Sequence, residues 1–354
     1  MSLPIAFDSL PRAWGTAIAT GRLKAEPEDF VVREWLGFAA DGDGDHLLLS
    51  VRKRGANTHW VAKELAKRAG VHPREIGYAG LKDRHAVTEQ AFTVPGRTAD
   101  PAQWQGFAGE GFEVIAASRI RRKLKRGSHK GNDFEIVVRA VTADREQLAE
   151  RLDRIAQFGV PNYFGPQRFG RAGRNLEVAE GWFSSGKSPY DRLDRSFALS
   201  AARSALFNAV LAARVADGTW NRLLDGDVAN LDGSGSIFPV AVVDDVLAER
   251  NQQLDIHPTG PLQGRGESRT GAAIAHLEEA VLAPWAHWVS GMAAAGLAHE
   301  RRALRLHVQG LTWDYTATDL TLRFRLGKGA FATSVLAELI DPASAAQVDE
   351  SDDG

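Results

Sequence analysis

The chain has 354 residues, with 43 Lys and Arg against 45 Asp and Glu, and no cysteine. This length corresponds to about two domains, and 44% hydrophobic with 25% charged residues is typical of a globular protein. The absence of cysteine excludes disulfides, thiolate zinc sites, iron–sulfur clusters and cysteine nucleophiles. The net charge of −2 excludes a uniformly cationic nucleic-acid binder, although local patches decide where a polyanion binds.

No stretch of the sequence resembles a secretory signal or a membrane span. The first residues, MSLPIAFDSLPRAW, lack a basic segment followed by an apolar one. The most apolar run, Leu199 to Val215, is interrupted by Arg203, Asn208 and Arg214. It therefore falls short of the roughly 18 apolar residues that a membrane helix needs. We expect a cytoplasmic protein that does not cross a membrane.

The first third of the chain alternates predicted strands and helices. DFVVRE (residues 29–34) and HLLLSV (residues 46–51) predict strands because they are rich in β-branched and apolar residues. Asn57-Thr58 offers capping side chains for a helix from His59 to Ala69, and Gly70 then ends that helix.

The middle of the chain has a different pattern. Residues 146–158 and 196–214 have helical periodicity and flank loops rich in Gly and Pro. Residues 225–239 and 257–266 contain many turn residues and little periodicity, which predicts loops.

Strand patterns lie mainly towards the two ends. DFEIVVRAV (residues 133–141) predicts a long strand. After the middle third, strand character returns only at residues 304–311 and 320–326, and a final helix is predicted at residues 331–340. Two strand-rich ends around a different middle predict a sheet-based domain interrupted by an insertion.

The most unusual local sequence is GYAGLKDRHAVTEQ, residues 77–90. Gly77 and Gly80 permit backbone conformations closed to other residues, and Asp83 follows between two cations. With a reference pKa near 3.9, a carboxylate is about a thousand to one ionised at pH 7. It is then a nucleophile that needs no activating base. A surface turn with ordinary ion pairs fits the same residues, and the pattern leaves both interpretations open.

A basic segment follows at residues 120–134, IRRKLKRGSHKGNDF. Seven cations and no acidic residue lie between positions 119 and 130: Arg119, Arg121, Arg122, Lys123, Lys125, Arg126 and Lys130. Such a run predicts contacts to the phosphates of a nucleic acid, with a solvated basic loop as the alternative. Asn132 offers an amide to a base edge, and Phe134 offers a ring face for stacking.

A second segment, NYFGPQRFGR (residues 162–171), interleaves aromatic residues and arginines. It fits a nucleic-acid contact, and at least equally a turn whose aromatic side chains anchor the core. The ten histidines show no HExxH pattern or paired metal spacing, and phosphate-binding glycine motifs and a GxSxG elbow are missing. We therefore predict neither a metal nor a cofactor.

Four motifs in order, GYAGLKDRHAVTEQ, KGNDF, VPNYFGPQRFG and GKGAFATSVLAEL, resemble the TruD family of tRNA pseudouridine synthases. The resemblance runs from about Gly21 to Ile340. It implies an α/β (α+β) fold, with a pseudouridine-synthase catalytic domain that has a central antiparallel sheet and an inserted family-specific α/β domain. The implied domains are residues 1–158 with 306–342 and the insertion at 159–305. The composition of residues 343–354 predicts an acidic flexible tail.

The resemblance also implies an activity and a site. The activity is conversion of uridine to pseudouridine at position 13 of certain tRNAs, on a flipped-out base, with tRNA as partner and without cofactor or metal. We expect a monomer. Asp83 falls on the family's nucleophile, and Lys24 matches a motif lysine near the site. The positions that line the uridine site are Phe30, Asn132, Phe134 and Phe331.

Some positions depart from the family pattern. Gly327, Lys328 and Ala330 stand where Pro, a small residue and Ser are expected, and Ala337 stands where an arginine is usual. An arginine at that place could pair with the catalytic carboxylate. Arg84 and Lys24 are the two cations that could replace it.

Two other functions fit parts of the pattern. A non-catalytic RNA-binding protein of the same fold would explain the cations and the aromatic residues, but not Asp83 in a glycine turn. A carbohydrate hydrolase would use Asp83 and Glu89 as its carboxylate pair, but would leave the basic segment unexplained.

Overall fold

The computed structural model describes residues 9–96 and 99–341, which form two compact units. The sheet unit comprises the described parts of Ala19–Asp144 and Gln309–Gly329. The helical unit comprises those of Met1–Ile18, Arg145–Val308 and Ala330–Pro342. Each unit is therefore built from separate stretches of the chain.

The predicted domain boundaries do not coincide with the limits of these units. The predicted boundaries at residues 158/159 and 305/306 divide the chain into the domains that the family resemblance implies. They are not limits of compact units, and they stay predictions. The predicted acidic tail, residues 343–354, lies outside the described residues.

The described residues contain sixteen strands and eight α-helices. The strands are β1 (Ala19–Leu23), β2 (Phe30–Trp35), β3 (His46–Arg54), β4 (Gly77–Tyr78), β5 (Val87–Pro95), β6 (Ala108–Gly109), β7 (Phe112–Ile120), β8 (Gly131–Ala143), β9 (Val160–Pro161), β10 (Val228–Leu231), β11 (Ile237–Pro239), β12 (Ile256–Leu262), β13 (Glu300–Ala303), β14 (Arg305–Leu306), β15 (Gln309–Tyr315) and β16 (Leu320–Gly327). The helices are α1 (Thr58–Ala69), α2 (Arg145–Phe158), α3 (Arg174–Ser185), α4 (Arg192–Ala216), α5 (Asp245–Gln252), α6 (Ala272–Leu282), α7 (Ala286–Ala294) and α8 (Ala332–Ala337).

The sheet unit is organised around a ten-stranded sheet. Its strand order is β15-β16-β8-β2-β5-β3-β7-β6, with β1 also paired to β8 and β4 to β5. Strand β2 runs parallel to β5, and the other pairs of this sheet are antiparallel. The predicted mixed fold with a central antiparallel sheet is confirmed.

Local sequence signals explain the helix that covers this sheet. The Asn57 side chain accepts a hydrogen bond from the N–H of Trp60 at 2.8 Å, and Gly70 ends α1 with a φ of +67°. Val61 and Leu65 of α1 are fully buried in one cluster with Leu47, from the inward face of β3. The predicted helix is confirmed, with its start one residue earlier.

Helix α4 forms the core of the helical unit. Leu206 and Phe207 are fully buried there and share a cluster with Trp288 of α7. By length and composition α4 is apolar enough to cross a membrane, yet 67% of its most apolar stretch is buried inside the protein. The helix therefore serves as a core helix.

The middle third contains a four-stranded sheet, so the prediction that strands return only after residue 303 is wrong. The strand order is β11-β10-β12-β13. Strand β12 has the sequence IHPTGPL and is almost entirely buried. Pro258, Gly260 and Pro261 argue locally against a central strand. Tertiary burial overrides that local preference here.

The C-terminal elements also differ from prediction. The strand predicted at residues 304–311 is two strands, because β14 pairs with β9 and β15 pairs with β16. Helix α8 covers only part of the predicted 331–340. It closes with N–H groups of Leu339 and Ile340 donating to the carbonyl of Leu336.

A buried ion pair connects α4 to the start of β10. The guanidinium of Arg214 binds both carboxylate oxygens of Asp227 at 3.0 Å, and the two side chains are 1% and 0% exposed. Asp227 also accepts from the N–H of Leu224 at 2.8 Å. Removing one partner would leave a buried charge without its counter-ion.

We expect Arg214→Met to destabilise the protein by about 3–5 kcal/mol, because Asp227 would remain buried and unpaired. Urea unfolding followed by circular dichroism checks this. The control is Arg250→Gln, which removes a cation paired with Asp255 at the surface and is expected to cost at most about 1 kcal/mol. Equal midpoints for the two variants would contradict the prediction.

Candidate active site

The turn that carries Asp83 lies between β4 and β5 in the sheet unit. A Cβ at Gly77 would lie 2.6 Å from the carbonyl oxygen of Leu124, so only glycine fits there. Gly80 is not constrained in this way, because its hypothetical Cβ would be 3.5 Å from the His129 ring. The first glycine therefore permits close packing of the basic segment against the turn.

Two donors hold the carboxylate of Asp83. The ammonium of Lys24 lies 2.6 Å from Oδ2, and the N–H of His85 donates to Oδ1 at 2.9 Å. Burial alone would raise the pKa of Asp83, but the charge and hydrogen bond of Lys24, with help from His85, leave the pKa below its usual value. The side chain is 27% exposed. This is an ionised carboxylate that a ligand can reach.

Lys24 reaches Asp83 from a left-handed backbone conformation directly after β1. Its φ is +52°, which is uncommon for a residue other than glycine. Its Nζ also lies 4.8 Å from the centroid of the Phe30 ring. Arg84, the other candidate partner, instead donates its Nε to the carbonyl of Gly55 at 3.1 Å. Lys24 is thus the cation beside the carboxylate.

A buried ammonium supports the backbone of the turn. Lys53 of β3 is 1% exposed. Its Nζ donates to the carbonyls of Asp83 and Ala56, both at 2.9 Å, and of Lys82 at 3.3 Å. Burial lowers the pKa of Lys53 to about 8, although the charge of Asp83 opposes the shift. Nothing in the sequence around Lys53 distinguishes it from a surface lysine of an alternating strand.

A polar network lies on the other side of the turn. The Nζ of Lys82 is 3.0 Å from Oε1 of Glu34 and donates to Oδ1 of Asn132 at 2.6 Å. Gln90 donates to the carbonyl of Gly80 at 2.7 Å. Because its Oδ1 already accepts from Lys82, Asn132 has its amide NH₂ left to offer a ligand. Sequence reasoning missed Glu34 and Gln90, because their partners are far away along the chain.

Three phenylalanines form an apolar wall beside this network. The ring centroids of Phe30 and Phe134 are 6.1 Å apart, and Phe134 stacks on Phe324 at 5.4 Å. Phe324 was missed in the sequence, although β16 places it directly opposite Phe134. Phe30 and Phe134 are 9% and 8% exposed, so they present a small apolar surface.

Phe331 belongs to the helical unit. Its ring is half-buried, with its centroid 6.3 Å from that of Phe164. The other predicted base-contacting residues and Asp83 belong to the sheet unit.

The basic loop, residues 121–130, is docked against the Asp83 turn. Leu124 is buried and donates its N–H to Oγ1 of Thr93 at 3.0 Å. Gly127 donates its N–H to the carbonyl of Ala79 at 2.7 Å. Burial and the charge of Lys82 lower the pKa of His129, at the end of the loop. The structure thus brings two motifs together that are about forty residues apart.

Four of the seven predicted RNA-binding cations already have partners. Arg119 donates to three backbone carbonyls, Arg121 pairs with Asp43, Lys123 donates to the Arg74 carbonyl, and Arg126 stacks on and donates to Tyr78.

The other three, Arg122, Lys125 and Lys130, are exposed. Within residues 9–96 and 99–341 their side chains form no hydrogen bond or ion pair. Lys328 joins the loop, since its Nζ donates to the carbonyl of Gly127 at 3.2 Å.

The carboxylate pair of the hydrolase alternative is not supported. Glu89 binds Arg52 at 2.8 Å and lies 3.8 Å from Arg33. It lines a groove of about 420 Å³ in which Glu28 and Arg54 also pair with each other. Glu89 is therefore committed to arginine partners.

The arrangement suits chemistry at a carboxylate. An ionised, reachable Asp83 lies beside a fixed ammonium and an apolar wall, so it can attack an electrophilic carbon or stabilise a developing positive charge. In the described part of the chain, no group of three or more His, Asp or Glu side chains is arranged to hold a metal ion.

Comparisons with known proteins agree with the motifs. The family model described as tRNA pseudouridine synthase D (TruD) matches residues 10–180 and 190–339. The tRNA pseudouridine synthase D of Nitrosococcus oceani is 46% identical over 327 residues, which is 91% of each chain. That of Methylococcus capsulatus is 45% identical over 339 residues, or 95% of each chain.

The fold has a counterpart among solved structures. The crystal structure of the TruD protein of Methanosarcina mazei aligns with a TM-score of 0.70 at 22% identity, over 93% of this chain and 95% of that one. At this identity the likeness concerns the fold. The family match and the two bacterial relatives carry the assignment, and the chain belongs to the TruD family of tRNA pseudouridine synthases.

Proposed function

We propose that this chain converts uridine to pseudouridine at position 13 of tRNA, with Asp83 as the attacking carboxylate. The observation that carries the proposal is the ionised Asp83, held by Lys24 next to the wall of Phe30 and Phe134. The family also supports the proposal, because its relatives in Nitrosococcus oceani and Methylococcus capsulatus are named tRNA pseudouridine synthase D.

The proposed reaction is an isomerisation within one nucleotide. The bond between N1 and C1′ breaks, the uracil turns, and C5 bonds to C1′. The proton on C5 is released and N1 gains one, so no oxidant or transferred group is needed. Asp83 takes part by adding to C1′ or C6, or by stabilising charge while a glycal forms. Each route requires an ionised carboxylate at the base–sugar bond, which Lys24 maintains.

The target base must first leave the RNA stack, which costs a few kcal/mol. The apolar wall of Phe30 and Phe134 offsets part of that cost, since stacking on an aromatic ring contributes about 1–3 kcal/mol per base. The amide of Asn132 can donate to a uracil carbonyl. Phe331 is proposed as a further contact to the base. The apolar wall also helps to exclude water, so that the detached uracil stays in the site until it bonds to the sugar again.

RNA binding in the proposal depends on the basic loop. Arg122, Lys125 and Lys130 are its exposed cations whose side chains form no hydrogen bond or ion pair among the described residues, whereas the other four of the seven cations already have partners. Each phosphate contact contributes roughly 0.7–0.9 to the slope of log K against log salt. Recognition by phosphate contacts and shape suits a folded RNA.

We expect Asp83→Asn to lower turnover by on the order of a thousandfold or more, because an amide is not a nucleophile, while tRNA binding is largely retained. The measurement is tritium release from tRNA transcripts labelled at uracil C5. Asp314→Asn is the control, since it neutralises an exposed carboxylate of the sheet unit that pairs with Arg323.

Three outcomes separate the functions. Release by the wild type and the control but not by Asp83→Asn supports the proposal. Equal release by all three proteins would remove Asp83 as nucleophile. Tight binding without release by any of them would favour the non-catalytic RNA-binding protein.

We expect turnover to fall as the pH rises through about 8, because Lys53 then loses the charge that holds the Asp83 turn. In Lys53→Arg the guanidinium stays charged, so the alkaline fall should move to higher pH. Lys53→Met should give low turnover without that alkaline step. Single-turnover rates between pH 6 and 10 check this.

Thermal stability gives an independent readout for Lys53. Its pKa in the folded protein, about 8, lies below the value of about 10.4 in an unfolded chain. Burying the charge therefore costs stability at neutral pH, and this cost disappears as the pH rises from about 8 to about 10.4. An alkaline loss of activity that simply follows a falling melting temperature would argue against the role given to Lys53.

We expect the double variant Arg122→Ala with Lys125→Ala to weaken tRNA binding and to lower the salt slope by roughly 1.4–1.8 if both residues contact phosphates. Binding isotherms at several salt concentrations measure this. The matched control is Lys63→Ala with Lys67→Ala, on the exposed face of α1. An unchanged slope in the loop variant would contradict the assignment.

A further inference from the structure

A buried ion pair contacts Asn132 in the sheet unit. The side chains of Lys82 and Glu34 are 6% and 1% exposed, and Nζ of Lys82 lies 3.0 Å from Oε1 of Glu34. The other carboxylate oxygen of Glu34 accepts from the N–H of Ala91 in β5 at 3.1 Å. Glu34 therefore supplies the counter-charge that a buried ammonium needs, and it holds that ammonium in one place.

The ammonium of Lys82 does not bind the proposed nucleophile, although the two residues are adjacent in the sequence. The carboxylate of Asp83 is bound by Lys24 and by a backbone N–H. The Nζ of Lys82 contacts Glu34 and Asn132 instead. Its charge is therefore available for a role other than holding the carboxylate of Asp83.

Strand register places these groups on one face of the sheet. Glu34 in β2 lies directly opposite Asn132 in β8, and residues opposite each other in an antiparallel pair point to the same side. Phe134 follows Asn132 by two residues, so it lies on this face as well. The amide and the apolar wall are thus presented together.

The ammonium decides which way the amide of Asn132 points. An ammonium has three donors and no acceptor, so the oxygen of the amide must face it, and Nζ of Lys82 donates to Oδ1 at 2.6 Å. With the amide turned by 180°, its NH₂ would meet the ammonium and two donors would face each other. Asn132 is half-buried, and its Nδ2 forms no hydrogen bond within residues 9–96 and 99–341. This nitrogen is left for a ligand.

We infer that Lys82, paired with Glu34, is a positioning residue that holds Asn132 as a hydrogen-bond donor to the uracil. The role rests on the proposed function, because uracil in RNA is the ligand. In that reaction C5 takes the place of N1, so the base turns about the line through N3 and C6. This turn exchanges the positions of its two carbonyl oxygens. A fixed donor therefore meets a carbonyl oxygen both before and after the turn.

Loss of the ammonium would turn the amide round. Glu34 lies opposite Asn132, and its unpaired carboxylate would then attract the amide NH₂. Oδ1 would face the base and meet the carbonyl oxygens of uracil, so that two acceptors oppose each other. Lys82 therefore keeps the donor of Asn132, rather than its acceptor, towards the base.

A double-mutant cycle tests this role. Single-turnover tritium release from tRNA labelled at uracil C5, and tRNA affinity, are measured for wild type, Lys82→Met, Asn132→Ala and the combined variant. We expect each single change to lower the rate about tenfold, the value of one hydrogen bond. The affinity should stay within about twofold, because phosphate contacts supply most of it. The combined variant should be no slower than Asn132→Ala, because Lys82 acts through that residue.

A second variant covers the event that Lys82→Met does not fold, since it leaves Glu34 buried without its counter-charge. In Lys82→Gln the new amide can still donate to Glu34, but it no longer requires an acceptor from Asn132. Its rate should fall by roughly threefold or more, and melting curves report whether each variant is folded. Lys63→Met is the matched control, because it removes an exposed lysine of α1, and it should keep the wild-type rate.

The outcomes distinguish this role from the proposed function. A wild type that binds tRNA without releasing tritium refutes the proposed function, and the role of Lys82 falls with it. Release by the wild type, with an equal rate in folded Lys82→Met or Lys82→Gln, overturns the role of Lys82 and leaves the proposed activity of Asp83 standing. Losses that multiply in the combined variant overturn it as well, because Lys82 would then act through something other than Asn132.

Discussion

The candidate site depends on the pairing of strand β8 along both of its edges. One edge pairs with β2 over residues 131–136 and then with β1 over residues 138–143, and the other pairs with β16 over residues 131–138. These pairings place Phe134 between Val32 and Phe324. A shift of one residue in either register would turn the apolar wall to the opposite face of the sheet.

The same strand explains how Lys24 reaches its partner. Between β1 and β8 the register shifts near Ala140, which has a φ of +51°. An extra residue on one strand of a pair increases the local twist and redirects the side chains beside it. Strand β1 ends at Leu23, and Lys24 follows at once in a left-handed conformation. Backbone geometry, rather than charge alone, therefore selects the cation that pairs with Asp83.

Sequence patterns predicted the parts of the fold that local chemistry determines. The bounds of helix α1 follow from the capping residues Asn57 and Gly70. Asp83 could be named as a candidate site residue because it follows two glycines and lies between two cations. Strand β12 could not be predicted, because its two prolines and its glycine contradict the local rules and only burial between neighbouring strands explains it. The roles of Glu34 and Lys53 were also out of reach, since their partners are brought close only by the folded sheet.

The basic segment shows that the number of cations in a stretch of sequence can differ from the number that a ligand can contact. Arg119 donates to backbone carbonyls and Arg121 pairs with Asp43, so both guanidiniums already have partners within the protein. Lys328, from the far end of the chain, contributes a cation that the run itself does not contain. The positive surface is therefore a product of the fold, and counting residues in the segment misjudges both its size and its position.

The chain crosses between its two units at residues 18/19, 144/145, 308/309 and 329/330. During synthesis on the ribosome, β8 emerges well before β16, so one long edge of β8 lacks its strand partner until residues 320–327 have left the exit tunnel. An open edge of this kind invites pairing with other chains. A nascent chain stalled within the helical unit would therefore carry an incomplete sheet, in which the edge of β8 that β16 later covers is still open.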